Sequence, residues 1–461
     1  MGNPGDADGR YHARIDTAAE FMINRILRSP YLIAGVALVL RVAVVGYYSS
    51  TSAYHLSTVW GAGYEMVRVA ENLLAGQGFS SPFLEPTGPT AILPPGYPLL
   101  LSIIFRLLGI KTLASAVAAV GLNIVLSAAT CIVIFHFAKD TVGKTAGVIA
   151  AWIWALYLPV ILSAGFHVWD GTLTTLLAAL AYLLVIRLRE GDWWRWLLYG
   201  LCWGAGTLVN PSLLAIYGVL FLWACWQFRP FDKLGAGSGQ TRARTGHTDY
   251  AWFRKAAVTA VVMLVVIAPW TARNYRLFHR VWPVRSNFGE ELWIGNHEGA
   301  DGYFHLLHYP LGNAAELEQY RRRGEAGYMQ WKQTAAVAFI KAHPAEFLSL
   351  VRLRMSCFWG GVYDSGYAPM FLPTTILGLG GLILVVRRKR EWFWCYALPL
   401  IFYPMPYYLT HADLRFRFPI EPLLACLTGY AITEFVAALQ RRRMAGSGPM
   451  VVVEQHRSAS V

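Results

Sequence analysis

The chain has 461 residues, of which 56% are hydrophobic and 15% are charged, and its formal net charge is +13. Soluble domains carry about 25% charged residues. Several apolar runs reach or approach the roughly 20 residues that cross a membrane. The composition therefore excludes an ordinary soluble domain and predicts an all-α polytopic membrane protein. Much of the positive charge falls in short loops between apolar runs, as the positive-inside rule describes, so we expect no nucleic-acid partner.

The apolar runs predict a single transmembrane bundle within residues 31–439. Lys and Arg are concentrated in alternate loops, whereas the turns at 165–169 and 210–212 contain neither. This alternation of charge supports about ten transmembrane helices. We place them at 31–50, 113–137, 143–163, 168–187, 195–209, 212–228, 255–273, 369–387, 392–409 and 417–439.

The same charge bias predicts the topology. Both termini, residues 1–30 and 440–461, are expected in the cytoplasm. The Gly/Ser/Arg-rich segment 229–253 is predicted as a flexible cytoplasmic linker. Two larger segments, 51–112 and 274–368, then fall on the external side.

Two apolar stretches in these external segments are predicted as juxtamembrane helices rather than spans. Residues 95–110 are short, and counting them as a span would invert the charge pattern of every later loop. An amphipathic helix in the membrane interface fits them better, with Arg106 reaching towards the headgroups. Residues 343–362 have the same character.

The first external loop contains an acid and a base next to the membrane. Helical spacing puts Glu65, Arg68, Glu71 and Asn72 on or near one face. One interpretation is an amphipathic interface helix whose charges pair with each other. The other is a functional carboxylate, because the Pro-Pro-Gly-Tyr-Pro run at 94–98 stiffens the loop and ionisable groups beside a bilayer are costly to desolvate.

A second acid, Asp170, lies at the next external turn, within Phe-His-Val-Trp-Asp-Gly-Thr-Leu. It is either the N-cap of the following helix or a functional group, since it faces the same compartment as Glu65. The neighbouring His167 and Trp169 suit a membrane interface.

Three arginines lie on the side where positive charge is disfavoured. Arg273 closes a predicted span, and Arg415 and Arg417 precede the last one. A guanidinium binds phosphate oxygens bidentately, so an anionic ligand would account for all three. The alternatives are interfacial anchoring for Arg273 and pairing with Asp413 and Glu421 for the other two.

Two further polar features have open interpretations. Arg41 lies inside the first predicted span, where it either snorkels to a surface or pairs with an acid or a lipid phosphate. His297, Glu298 and Asp301 form a cluster without a recognised metal-ligand spacing. The sequence thus establishes no cofactor and leaves a divalent cation open.

The order of these motifs resembles the protein O-mannosyltransferase and aminoarabinose-transferase-like group of GT-C glycosyltransferases (PMT-type, glycosyltransferase family 39-like). The matching pieces are Glu65-Met-Val-Arg68-Val-Ala70-Glu71, Pro94-Pro95 and Arg415-Phe416-Arg417-Phe418-Pro419-Ile420. Between them the spans match in hydropathy and order only. Members of the group typically carry an acid, often Asp, three residues before an Arg in the first external loop, and this chain has Glu65 there. A Trp-Trp-Asp-Tyr-Gly motif is absent from the sequence, which argues against an oligosaccharyltransferase.

The resemblance implies a membrane glycosyltransferase that inverts configuration as it moves a sugar from a polyprenyl phosphate to an acceptor hydroxyl at the external face. It implies a general base at Glu65, a second acid at Asp170 that holds acceptor or sugar, and arginines that stabilise the departing phosphate. The candidate substrate-binding residues are Arg68 (which would orient Glu65), Arg273, Arg415, Arg417, Tyr97 and His411.

The same resemblance predicts the partners and the location. The partners are a polyprenyl-phosphate-sugar donor, a protein, lipid or glycan acceptor of the cell envelope, and the lipid bilayer. The location is a prokaryotic plasma (inner) membrane. Two other functions stay open, namely a transporter or lipid flippase, and a non-catalytic membrane subunit. Transporters typically show repeated halves, and no clear internal repeat is visible in this sequence.

Overall fold

The computed structural model describes residues 27–51, 56–61, 63–228, 247–361 and 368–446. The predicted N-terminal segment up to residue 26, most of the linker and the tail beyond residue 446 lie outside these residues. Within them, extended pairing is limited to two isolated β-bridges, Ser80 with Pro89 and Tyr303 with Ala412. The predicted all-α fold class is confirmed.

The described part of the chain is built from helices joined by short turns and two longer loop segments. In chain order the helices are α1 (Pro30–Ser50), α2 (Tyr64–Leu74), α3 (Gly96–Leu108), α4 (Leu113–Thr141), α5 (Lys144–Leu156), α6 (Leu158–Phe166), α7 (Gly171–Arg187), α8 (Trp193–Val209), α9 (Leu213–Gln227), α10 (His247–Phe278), α11 (Phe288–Ile294), α12 (Ala314–Ala342), α13 (Pro344–Gly360), α14 (Ala368–Arg388), α15 (Phe393–Phe402), α16 (Met405–Leu409) and α17 (Glu421–Gly446).

Six described helices are long and apolar enough to cross a membrane, and the bent pair α5–α6 raises the number to seven. The predicted count of ten is not confirmed. Three predicted spans correspond to shorter elements: 195–209 to α8, 212–228 to α9, and 392–409 to α15 and α16. At 1.5 Å per residue, the 17 residues of α8 reach about 25 Å, short of a hydrocarbon core of about 30 Å.

Pro159 accounts for the 49° bend between α5 and α6, and Arg41 donates to the backbone carbonyls at the bend. Pro159 near the start of α6 has no N–H, so the carbonyl of Ala155 loses its helical donor. The guanidinium of Arg41 is fully buried and donates to the carbonyls of Ala155 at 3.2 Å and Trp154 at 3.3 Å. Its Nε also donates to Ser127 Oγ at 2.9 Å. Neither sequence interpretation of Arg41 anticipated backbone carbonyls as its partners.

Helices α8 and α10 approach each other backbone to backbone. A Cβ added at Gly200 would meet the carbonyl oxygen of Thr259 at 2.6 Å, so a side chain there would force the helices apart. The Thr259 hydroxyl donates to the carbonyl of Trp196 at 3.0 Å across the same contact. This close packing fixes α10, whose last turns lead towards the polar residues described below.

The two loop segments predicted to share a side do meet at one end of the bundle, which we call the loop side (residues 56–112 and 279–361). Ser286 N–H donates to the carbonyl of Ala91 at 2.9 Å. The buried carboxylate of Glu325 accepts from Ala91 N–H at 2.8 Å and from Tyr320 at 2.7 Å. These bonds join the loop segments into one layer.

The two predicted juxtamembrane helices are present as α3 and α13. In α3, Leu101 and Phe105 are buried while Ile103 and Leu107 are exposed, so one face packs against the bundle and the other is apolar and open. This one-sided burial is consistent with a helix lying along an interface.

Candidate active site

A cavity of about 260 Å³ lies on the loop side. We call it the polar cavity, because it brings carboxylates, arginines and aromatic side chains together from distant parts of the sequence. It is lined by Gly61, Gly63, Glu65, Met66, Leu93, Pro94, Trp169, Asp170, Gly171, Thr174, Asn210, Arg285, Glu291, Phe304, Leu306, Tyr309, Leu311, Tyr403, Tyr407, Arg415, Phe416 and Pro419. Three of the predicted site residues, Glu65, Asp170 and Arg415, are therefore neighbours around one space.

Glu65 enters the cavity from the first turn of α2. The helix begins after Gly63, whose φ of +83° suits glycine. A Cβ at Gly63 would meet the carbonyl oxygen of Val168 at 2.5 Å, so the segments carrying Glu65 and Asp170 touch at this point. Among the described residues, none donates a hydrogen bond to the Glu65 carboxylate.

Asp170 precedes α7 and is buried. Its side chain does not cap the helix, contrary to the structural alternative, and accepts instead from Asn210 Nδ2 at 2.8 Å and Thr174 Oγ1 at 3.2 Å. Burial raises the pKa of the Asp170 carboxyl above its ordinary value, while Asn210 and the charges of Arg415 and Arg285 act in the opposite direction.

Arg415 reaches the cavity from the turn Leu414–Ile420. Its guanidinium carbon lies 3.9 Å from the centre of the Trp169 ring, and its Nε lies 3.1 Å from Asp413 Oδ2. The two terminal nitrogens have no hydrogen-bond partner among the described residues. A guanidinium held by one edge and one face, with its other nitrogens free, can receive an anion.

Arg285 and Glu291 also line the cavity, and neither was among the predicted site residues. The Arg285 Nε donates to the carbonyl of Ile92 at 2.7 Å, and its Nη2 lies 3.6 Å from Glu291 Oε1. Arg285 stood near Trp and Tyr residues in the sequence, a weak signal for phosphate binding. Nothing in the local sequence marked Glu291, whose position depends on how the loop segments fold together.

A larger space, of about 1040 Å³, adjoins the polar cavity. We call it the apolar groove, because α10 and the segment after it supply most of an apolar wall: Met263, Leu264, Ile267, Ala268, Val281, Pro283, Val284 and Phe288. Asn210, Arg285, Glu291, Tyr407 and Phe416 line both spaces. The apolar groove therefore opens directly onto the polar cavity.

Arg417, two residues after Arg415, has a different environment. It is buried, and its Nε donates to Glu421. Its Nη1 donates to the carbonyl of Trp359 at 2.6 Å, and its Nη2 donates to that of Phe371 at 3.2 Å. This arrangement matches the structural alternative of pairing with Glu421, and the guanidinium lies outside the lining of both spaces.

Arg273 and Arg68 also bind groups other than those predicted. Arg273 stacks over Trp270 at 4.5 Å and donates to the carbonyls of Thr90 at 2.7 Å and Phe79 at 2.8 Å. It thereby holds the first loop segment against α10. Arg68 pairs with Glu71 at 3.1 Å, three residues along the same helix.

Tyr97 and His411 are both buried and lie outside the lining of the two spaces. Tyr97 packs with Phe105, Ile124 and Val168. His411 lies behind the cavity wall, with its Nδ1 3.3 Å from Glu291 Oε2.

The predicted cation cluster does not form one ligand set. Asp301 pairs with His305 at 2.7 Å, whereas His297 stacks on Trp293. In the part of the chain that the structure describes, no three His, Cys, Asp or Glu side chains are arranged to hold a metal.

Comparison with known proteins supports the resemblance drawn from the sequence. A family model for dolichyl-phosphate-mannose-protein mannosyltransferase matches residues 93–233, which include Asp170 and Asn210. No curated protein matches the chain significantly. An Archaeoglobus fulgidus oligosaccharyltransferase, solved with Zn and sulfate, superposes with a TM-score of 0.54 at 12% identity, over 88% of this chain and 50% of that one.

The oligosaccharyltransferase AglB of the same organism, in complex with an inhibitory peptide and a dolichol-phosphate, gives a TM-score of 0.52 at 13% identity, over 93% of this chain and 52% of that one. ArnT of Cupriavidus metallidurans, bound to undecaprenyl phosphate, gives a TM-score of 0.33 at 13% identity, over 87% of this chain and 79% of that one. This chain spans about half the length of the oligosaccharyltransferases. The superpositions with the oligosaccharyltransferases show a shared GT-C fold, and the family match is confined to residues 93–233.

Proposed function

We propose that this protein is an inverting membrane glycosyltransferase that moves a sugar from a polyprenyl phosphate to an acceptor hydroxyl at the external face of a plasma membrane. One observation carries the proposal: the polar cavity and the apolar groove share a wall that contains Arg285. A ligand with a long apolar tail, a phosphate and a polar head fits such a pair of spaces, because each part meets a surface of matching polarity.

The donor would lie with its tail in the apolar groove and its phosphate at the shared wall, near Arg285 and Arg415. Its sugar would occupy the polar cavity. At about 260 Å³, this cavity is smaller than the roughly 300 to 1,000 Å³ of pockets for drug-sized ligands. We therefore infer a donor that carries one sugar ring rather than an oligosaccharide.

Glu65 is the best candidate for the general base. Three carboxylates line the cavity, and two of them are engaged. Asp170 accepts from Asn210 and Thr174, and Glu291 accepts from Asn287. Glu65 differs from both, because neither of its oxygens accepts a hydrogen bond from a described residue, so no existing bond opposes its taking a proton.

The transfer step balances without a cofactor. The acceptor oxygen forms a bond to the anomeric carbon on the face opposite the phosphate, which inverts configuration. The bond from that carbon to the phosphate oxygen breaks, and its electron pair leaves with the lipid phosphate. The hydroxyl proton passes to Glu65. Arg415 stabilises the charge that develops on the phosphate, while Asp170 holds the sugar or the acceptor.

Transfer by the purified protein in nanodiscs tests this proposal. The protein is given radiolabelled polyprenyl-phosphate sugars and a membrane extract that supplies protein, lipid and glycan acceptors. We expect the wild type to release label from one donor, and Glu65→Gln to lower the rate by about 10² to 10⁴, the usual contribution of a general base. The matched control is Glu71→Gln, on the same helix but paired with Arg68 and Lys111 outside the cavity.

Two results would contradict parts of the proposal. Equal turnover by the wild type and Glu65→Gln would remove Glu65 as the base, and Asp170 would be tested next. No turnover with any donor would reject the transferase, and a lipid-flipping assay would then test the transporter alternative.

A further inference from the structure

The shared wall contains a carboxylate where the proposed donor would put its phosphate. We propose that Glu291 and His411 form a proton-coupled switch for binding this phosphate. In this structure Glu291 lies between Arg285 and His411. When the phosphate takes Arg285, Glu291 loses its cationic partner, and His411 takes up one proton from solution to pair with it. This inference rests on the proposed function, because it assumes that the lipid phosphate binds at Arg285.

Glu291 lies between two basic side chains. Its Oε1 is 3.6 Å from Arg285 Nη2 and also accepts from Asn287 Nδ2 at 2.5 Å. Its Oε2 is 3.3 Å from His411 Nδ1. One carboxylate therefore contacts both side chains at once, and its ion pair can pass from Arg285 to His411 without moving the backbone.

His411 is suited to the second position. It is 1% exposed, and neither ring nitrogen makes a hydrogen bond to a described residue. Each buried polar atom without a hydrogen bond destabilises the folded state, so both ring nitrogens of His411 favour a new partner. Burial lowers the pKa of His411 below its ordinary value, which favours the neutral ring near neutral pH.

The other charged groups around His411 already have ion-pair or hydrogen-bond partners. Asp413 lies next to Arg415 at 3.1 Å. Arg354, on α13, donates to the carbonyl of Gly295 and to Asn296 Oδ1. Among the charged groups that act on the imidazole, Glu291 favours its protonation most, Asp413 also favours it, and Arg415 and Arg354 oppose it. A proton on His411 would therefore be stabilised chiefly by the carboxylate of Glu291.

The physical reason for the switch is the repulsion between two anions. A phosphate at Arg285 would lie close to the Glu291 carboxylate. The two negative charges repel each other strongly, because the shared wall is partly shielded from water. A proton on His411 offsets this repulsion and pairs the buried imidazole with Glu291. Donor binding would raise the pKa of His411, so binding consumes a proton and affinity increases as pH falls.

The test is a binding measurement on the full-length protein in nanodiscs between about pH 5 and 8, the range in which histidines titrate. The probe is the methyl diester of a polyprenyl phosphate, which keeps one charge throughout this range, so that the ligand itself does not titrate. We expect the wild type to bind at least about tenfold more tightly at the low end, the factor that one unit of pKa shift gives.

Two variants should lose this pH dependence in opposite ways. In His411→Asn, no protonated imidazole can pair with Glu291 once the phosphate takes Arg285, so binding should stay weak at every pH. In Glu291→Gln, the competing charge is gone, so binding should be tight at every pH. A role confined to packing would weaken binding in both variants, and opposite signs would not arise. Thermal unfolding of each variant checks that it is folded.

The outcomes separate this inference from the proposed function. Binding by the wild type that does not change with pH would overturn the switch and leave the donor site standing. So would a His411→Asn variant that keeps the pH dependence, or a Glu291→Gln variant that binds weakly. If the wild type does not bind the diester at any pH, the proposed donor site itself fails, and the switch fails with it.

Discussion

Two arginines from the same short turn, Arg415 and Arg417, lie in different surroundings. Arg415 lines the polar cavity, whereas Arg417 is packed between α13, α14 and α17. Arg417 is 2% exposed and gives its donors to Glu421, to backbone carbonyls and to Thr374. Arg415 is 34% exposed and keeps its terminal nitrogens free of described partners. The two residues have the same charge and lie two positions apart, so their different hydrogen bonding comes from the acceptors that surround each side chain.

This comparison separates arginines that hold the fold from those that can bind a ligand. A buried guanidinium without acceptors would be very costly, so the fold provides acceptors for Arg41, Arg354 and Arg417 among backbone carbonyls. An arginine with free donors at a cavity is available to a ligand that supplies an acceptor. The predictions below test this distinction.

The largest expected effect is on stability. Arg417→Ala leaves the carboxylate of Glu421 buried and unpaired, which should lower the free energy of unfolding by about 3 to 5 kcal/mol. Thermal unfolding in nanodiscs measures this loss. The double substitution Arg417→Met with Glu421→Leu should recover most of it, because both charges are then removed. A stable single variant would contradict a structural role for Arg417.

Arg415→Ala should have the opposite profile. We expect its thermal unfolding to stay close to that of the wild type, while the transfer rate falls by about 10² to 10³, or about 2.7 to 4 kcal/mol, the usual effect of one removed donor to a developing anion. The control is Arg321→Ala, which removes a partly exposed arginine paired with Glu85. Loss of folding in Arg415→Ala would place this arginine in the same class as Arg417.

Asp170 gives a pH-dependent prediction. Because burial raises its pKa, the folded state holds this proton more tightly than the unfolded state does. The associated stability is fully present below the ordinary pKa of an aspartate, and it is lost as pH rises through the higher folded value. We expect the wild type to lose stability relative to Asp170→Asn over this rise, by at most about 1.4 kcal/mol for each pH unit. A stability difference that does not change with pH would refute the raised pKa.

The smallest effect is expected at Trp169, whose ring lies under the Arg415 guanidinium. Trp169→Leu removes a cation–π contact worth about 1 kcal/mol at a partly buried site, so the transfer rate should fall about fivefold. The matched control is Trp194→Leu, since Trp194 lies under Arg195 outside the lining of both spaces. Equal losses in both variants would show that the contact does not act through the site.

The sequence predicts the long spans well and the short ones poorly. Six helices emerge where apolar runs are long, because only a continuous helix satisfies its backbone inside a bilayer. Hydropathy does not show where a helix stops. Pro404 divides the predicted span 392–409 into α15 and α16, whereas Asn210-Pro211 lies at the turn already predicted between α8 and α9.

The candidate site shows a similar limit. Glu65, Asp170 and Arg415 could be selected because each lies near the end of a predicted span on the side expected to be external. A charged group is costly to desolvate beside a membrane, so a charged residue there suggests a function. The partners of Arg41 could not be predicted, since they are backbone carbonyls exposed by a proline. Glu291 could not be predicted either, because it reaches the cavity only through the packing of one loop segment against the other.

Gly63 has a consequence for the whole site. It is the point where the segment carrying Glu65 rests on the segment carrying Asp170, with room for a hydrogen atom and not for a methyl group. The spacing of the two carboxyl groups thus depends on a position that has no side chain and no chemistry of its own. A scan for catalytic groups would pass over it, yet a single added carbon there would misalign both acids while leaving each chemically intact.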